Sequence, residues 1–202
     1  KIPAGVCLIG TPEGDPLAWS DEFPEHTVTI PSDYWCARFP VTNRQFGRFV
    51  EATATLTRAE KVGWAYVFDA KAMQWEKVTG ADWLHPIGPA GKVENWPEHP
   101  VVNVSFLDAL AYLDWLNEKH RADLPDGYRF SLPTEVEWEH AARGPHHWRY
   151  PWGKDFEPGK CCCRFSAHGI GTQPVGSFSP DGDNMYGVAD LAGNVWEWTT
   201  TL

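Results

Sequence analysis

At 202 residues and 22.7 kDa the chain has the length of one ordinary domain, so one domain over residues 1–202 is expected. Its 43% hydrophobic and 22% charged residues, with 12 Trp, 18 Gly and 17 Pro, exclude disorder, collagen and coiled coil and predict short elements joined by many turns. A formal net charge of -10 and a pI near 5.2 exclude a basic phosphate-binding face, and no apolar run has the length of a membrane span, so neither nucleic acid nor membrane is an expected partner.

In chain order, a turn-rich approach through Pro12, Gly14, Pro16 and Pro24 leads to His26-Thr27-Val28-Thr29-Ile30, whose alternation predicts a half-buried strand. Thr42 predicts the N-cap of a helix in which Phe46, Phe49 and Val50 form one apolar stripe, ending near Ala52. Residues 53–100 mix Trp64, Trp75, Trp83 and Trp96 with Gly and Pro without a sustained period, which reads as an aromatic-rich insertion of loops with room for a short hairpin. Ser105 and Asp108 resemble an acidic capping box ahead of a second helix whose stripe is Ala109, Tyr112, Leu113 and Leu116. Thr134 and Glu137 form a full capping box, and Gly144 stands at the expected C-cap of a third helix over residues 135–143. The fold class expected is α+β, with low regular secondary structure, about three short helices and short antiparallel strands.

Near the end, Asp190 and Glu197 stand seven residues apart around Gly193. Hard cations such as calcium take carboxylates together with carbonyls that a tight turn points inward. The competing reading is that Asp190 caps a turn and Glu197 pairs with an Arg. Asp181-Gly182-Asp183 opens like an EF-hand loop, but Tyr186 and Ala192 stand where that loop needs Gly and Glu, which excludes it. The histidines show no HxxxH or HExxH spacing. Cys161, Cys162 and Cys163 fit neither a disulfide framework nor a CxxC pair, which favours a reducing, cytoplasmic compartment. Consecutive residues in extended chain face opposite ways, so only Cys161 and Cys163 can share a face. The three are expected to form no multi-thiolate metal site, with at most one joining a disulfide. Cys36 is expected to behave as a small buried hydrophobe. The Trp set serves core packing or a stacking platform for sugars or peptides.

Gly193-Asn194-Val195-Trp196-Glu197-Trp198 is similar to the GNVWEW signature of the formylglycine-generating enzyme, or sulfatase-modifying-factor, family. Further matches follow in family order: Pro3-Ala4-Gly5 with Gly10 to an opening strand, Pro40-Val41-Thr42-Asn43 with Phe46 to a first helix, and His99-Pro100-Val101-Val102-Asn103-Val104-Ser105 to the lead into a second. Leu132-Pro133-Thr134-Glu135 with Glu137-Trp138-Glu139, Arg143-Gly144, Tyr150-Pro151-Trp152-Gly153 and Pro174-Val175-Gly176-Ser177 complete the run. The resemblance implies a variant of the C-type lectin fold. It also implies a structural calcium site on the Asp190 and Glu197 side chains with the Gly193 and Val195 carbonyls. A further calcium site of the family is not implied, because Cys162 stands where an Asn is usual.

Two branches of the family are resembled. Leu56-Thr57-Arg58-Ala59-Glu60-Lys61 and Gly80-Ala81-Asp82-Trp83-Leu84-His85-Pro86 look like the oxidases that convert a peptidyl cysteine, in a Cys-x-Pro-x-Arg context, to formylglycine with oxygen and copper. Pro180-Asp181-Gly182-Asp183 with Tyr186-Gly187-Val188-Ala189-Asp190 is similar to a bacterial branch fused to signalling modules, some of whose members are diversified by retroelements into variable ligand-binding proteins. The family's catalytic cysteine pair follows GNVWEW, at positions beyond Leu202, so the domain as read is cut short on its C-terminal side and carries no catalytic residue. The leading expectation is therefore a calcium-stabilised module binding a protein, peptide or small-molecule ligand. The alternative is the main part of the copper-dependent oxidase, with copper only if the catalytic segment exists.

Overall fold

The computed structural model describes residues 1–69, 71–166 and 171–201. Strand β1 (Gly5–Ile9) pairs antiparallel with β2 (His26–Ile30), Cys7 opposite Val28, and the predicted strand coincides with β2. Cys7, Ile9 and Ile30 turn inward and pack with Val28, Tyr34 and Val136. Strands β3 (Trp64–Asp69) and β4 (Gln74–Thr79) form a second antiparallel hairpin inside the aromatic-rich insertion.

Among the described residues there are four α-helices: α1 (Asn43–Thr53), α2 (Arg58–Val62), α3 (Phe106–Lys119) and α4 (Glu135–Arg143). Each begins with a reciprocal capping box, from Thr42 with Gln45, Thr57 with Glu60, Ser105 with Asp108, and Thr134 with Glu137. The box satisfies two of the four backbone N–H groups that a helix start leaves unpaired. Three of these helices match the sequence reading. The fourth, α2, falls in a segment read as loops, because five residues are too few to show a 3.6-residue period.

The main core lies between α1 and α3. Phe46 and Phe49 meet edge-on at 5.3 Å, Phe46 meets Trp83 at 5.4 Å, and Phe49 meets Tyr112 at 5.7 Å. Tyr112 and Leu116 of the expected α3 stripe join this core, but Ala111 and Trp115 take the places of Ala109 and Leu113. Asp108 rotates the buried face towards them. It is 6% exposed, and its carboxylate accepts from Ser105 N and Oγ at 2.8 and 2.6 Å and from the first amide of α2, Arg58 N, at 3.0 Å. One side chain therefore closes the starts of two helices. A second core joins Ile2, Ala141 and Ala142 to Val188 and Leu191, tying α4 to the irregular chain near the C-terminus.

Asp108→Ala strands buried donors at both helix starts, whereas Glu137→Ala opens an exposed box. Loss of about 2–3 kcal/mol is expected for the first and about 1 kcal/mol for the second. Urea unfolding midpoints measure the difference, and equal losses would show that the link to α2 adds nothing.

Candidate functional site

The described part of residues 171–201 contains no helix or strand, so side chains hold it in place. Asn184 is the main fastener. Its Oδ1 accepts from Tyr186 N and Val188 N at 2.9 and 2.8 Å, and its Nδ2 donates to Ala141 O in α4 at 2.6 Å. Ala189 N then donates to Arg38 O at 2.9 Å, and Asp190 follows in the left-handed region at φ 62°. Asp190 Oδ2 accepts from Gly176 N at 2.7 Å.

The next turn is held from two sides. Asn194 bridges Gln173, donating to its carbonyl at 3.1 Å and accepting from its amide at 2.9 Å, while Asn194 N donates to Cys162 O at 2.9 Å. Gly193 sits so close to this second support that a Cβ on it would lie 2.2 Å from Cys162 O. The structure thus holds Asp190, Gly193 and Asn194 in a turn pressed between residues 173–176 and the cysteine segment, with Glu197 in the irregular chain that follows it.

The carboxyls of Asp190 and Glu197 are both pushed above their ordinary range. For Asp190 burial is the main cause, opposed by the Gly176 amide and Asn194 and reinforced by the charge of Asp183. Burial carries Glu197 up to about 7, with Asp190 adding to the rise. Glu197 is exposed as a residue, whereas its carboxyl is crowded by protein, and the crowding at the carboxyl governs its proton affinity. Trp138 Nε1 is buried without a partner in hydrogen-bond geometry, yet its N–H still favours the ionised Glu197 carboxyl. Among the described residues no ion pair reaches Glu197, so the reading in which it pairs with an Arg is not what the structure adopts.

Asp190 and Glu197 are carboxyls of like charge without a basic partner among the described residues, and carboxylates with turn carbonyls are the oxygen donors hard cations take. Gly193 O already accepts from Val195 N at 2.9 Å but retains a lone pair. Among the described residues no cluster of three or more His, Cys, Asp or Glu converges on a metal position, so a cation here would have to draw on these carbonyls.

Asp183 of the rejected EF-hand stretch is 9% exposed and faces inward, accepting from Ser179 Oγ and pairing with Arg38 at 3.3 Å. All five cysteines are free thiols. Cys36 packs against the second core, and burial carries its thiol up to about 11. Cys162 Sγ donates to Gly171 O at 3.1 Å, whereas Cys161 and Cys163 face one another. His140 is 5% exposed with neither ring nitrogen partnered, which the structure leaves unexplained.

Sequence reading missed a groove of about 1090 Å³ between the residue 9–26 loop and α4. Trp19, 75% exposed, lines it together with His26 and Arg143, and so do Leu191 and Ala192, which follow Asp190 in the chain. Arg143 and Glu139 fix its floor: Arg143 Nη1 donates to Glu139 and to Gly10 O, both at 2.7 Å, and Glu139 accepts from Gly10 N at 3.0 Å. The only sequence signal was the four-residue spacing of Glu139 and Arg143 on one helix face.

Residues 1–202 match the family described as the sulfatase-modifying factor enzyme 1-like domain. The formylglycine-generating enzyme of Thermomonospora curvata is 38% identical, with the match covering 98% of this chain and 69% of that protein. The formylglycine-generating enzyme of Bos taurus is 37% identical over 98% of this chain and 56% of its own length. The inactive C-alpha-formylglycine-generating enzyme 2 of Bos taurus is 35% identical over 100% and 69%. Among solved structures, PvdO from Pseudomonas aeruginosa superposes with a TM-score of 0.69 at 28% identity, covering 98% of this chain and 68% of that one. The chain thus spans between about half and two thirds of these proteins.

Gly193→Ala drives a Cβ into a backbone carbonyl that cannot swing aside. A loss of about 1–3 kcal/mol is expected, against almost none for Gly159→Ala, where a Cβ meets nothing within 4 Å. Thermal unfolding of the two variants side by side checks this, and a neutral Gly193→Ala would mean that the turn does not rest on the cysteine segment.

Proposed function

This chain belongs to the sulfatase-modifying factor enzyme 1-like family, and from that membership we propose that it is a calcium-stabilised scaffold that holds a protein or peptide segment in the groove beside α4. The observation that carries the reading is the junction of groove and carboxylate turn: Leu191 and Ala192 line the one and, between Asp190 and Gly193, form part of the other. A cation on Asp190, Gly193, Val195 and Glu197 would fix the end wall of the groove. These residues offer four of the six to eight oxygens calcium takes, with water completing the shell. Exposed Trp19, with charges of both signs below it, suits an extended peptide with an apolar and a charged side chain.

A second reading makes the chain the main part of a copper-dependent oxidase that converts peptidyl cysteine to formylglycine. It is favoured by the 38% identity to the Thermomonospora curvata enzyme. Copper(I) takes thiolates, and among the described residues no cysteine lines the groove, so the residues present do not fit copper there and no step through it is derived. The similar identity to an inactive relative makes the scaffold the part held in common.

Removing calcium with a chelator is expected to lower the melting temperature reversibly, since the ion binds the folded turn and not the open chain. Glu197→Gln is expected to abolish that dependence and substitutions at Asp181 to leave it intact. A melting temperature indifferent to chelator would sink the calcium assignment. Anisotropy of a labelled Cys-x-Pro-x-Arg peptide tests the groove, with Trp19→Ala expected to weaken binding about tenfold. Oxidation of that peptide by the 202-residue chain with copper and oxygen would replace the first reading by the second.

A further inference from the structure

Cys161 and Cys163 are unlike the other thiols of this chain. Cys7 donates to Val28 O, Cys36 lies in a core, and Cys162 donates to Gly171 O, so each of these three is held by the protein rather than by another sulfur. Cys161 Sγ instead lies 3.7 Å from Cys163 Sγ. Neither is part of the groove or of the carboxylate turn. We propose that Cys161 and Cys163 form a reversible dithiol–disulfide site whose oxidant is a low-molecular-weight disulfide.

The geometry favours ring closure over a metal. The gap narrows to the ~2.05 Å of an S–S bond by a combined sulfur movement of about 1.7 Å, which rotation about the two Cα–Cβ bonds can supply. A tetrahedral thiolate metal site needs three or four ligands, and among the described residues no third group converges on the pair. Cys163 is half-buried and Cys161 is 4% exposed, which sets the order of events. Burial, followed by the neighbouring sulfur, also pushes the Cys161 thiol up, so it is the poorer first nucleophile.

The Cys163 thiolate attacks one sulfur of the small disulfide. A Cys163–S bond forms, the old S–S bond breaks, and the first small thiolate leaves and takes up a proton. The Cys161 thiolate then attacks the Cys163 sulfur and expels the second small thiol. Two protein thiols are oxidised and one small disulfide is reduced to two thiols. This departs from the sequence expectation, in which at most one of the three cysteines joins a disulfide. The pair also flanks the Cys162 carbonyl that supports Gly193 and Asn194, so its redox state bears on the carboxylate turn from behind.

The test is equilibration of the whole chain in glutathione redox buffers, acid quench, alkylation, trypsin cleavage after Lys160 and Arg164, and mass measurement of the Cys161–Arg164 peptide. Closure is expected as a peptide short of two hydrogens and alkylated once, on Cys162. Its midpoint is expected at a buffer about tenfold less oxidising for the folded chain than for the chain in urea. Cys162→Ser is expected to close normally, while Cys161→Ser should accumulate a mixed disulfide on Cys163. Three alkylated cysteines in the oxidised wild type, a persistent mixed disulfide in it, or equal midpoints in buffer and urea would overturn the proposal. None of these outcomes depends on calcium or peptide binding.

Discussion

Backbone lies against backbone where the irregular chain near the C-terminus crosses the cysteine segment, and the rest of that region depends on this approach. A Cβ on Gly182 would fall 2.2 Å from Lys160 O, and one on Gly193 would fall 2.2 Å from Cys162 O. Such spacing admits only glycine. It lets two successive turns close on one short stretch of chain, and without helix or strand to hold them the turns need that stretch as a floor. Asn184 and Asn194 then fasten the turns from above through pairs of hydrogen bonds to Ala141, Val188 and Gln173. The position of Asp190 follows from these contacts rather than from any regular element.

The helices are organised by a different and more local rule. All four start on a Ser or Thr answered three residues later by Gln, Glu or Asp, and this pattern is written in adjacent residues. That is why α1, α3 and α4 were legible from the sequence. The box of Thr57 and Glu60 was equally visible, but without a stripe behind it α2 passed for loop. The error in the α3 stripe has a related cause. Hydrophobic periodicity favours Ala109 and Leu113, whereas the buried Asp108, drawn in to cap α2, turns Trp115 to the core instead.

At the site the same contrast holds. Asp190, Gly193, Val195 and Glu197 lie within eight residues, so a motif reveals them. The groove is assembled by contacts such as Gly10 with Glu139 and Asp15 with Arg149, which join residues more than a hundred positions apart, and no window of sequence contains such a contact. The cysteine triplet falls between these cases. Strand geometry indicated which two sulfurs share a face, but whether they meet depends on how the neighbouring turns shape the segment.

Glu139 in α4 and Glu197 near the C-terminal end show how differently one chain can treat a carboxylate. Glu139 has Arg143 at 2.7 Å and the Gly10 amide at 3.0 Å, so its charge is answered where it sits. Glu197 has no basic partner among the described residues, faces another carboxylate through space, and is driven up to about 7. The chain has 27 acidic residues against 17 Lys and Arg, so bases are scarce, yet several of them serve exposed pairs such as Lys1 with Asp33, where solvent screens most of the attraction. A crowded carboxylate left unpaired costs more than such a surface pair gains. On the proposed calcium reading, an external cation would offset that cost without calling on the chain's few bases, and it would do so only in the folded state.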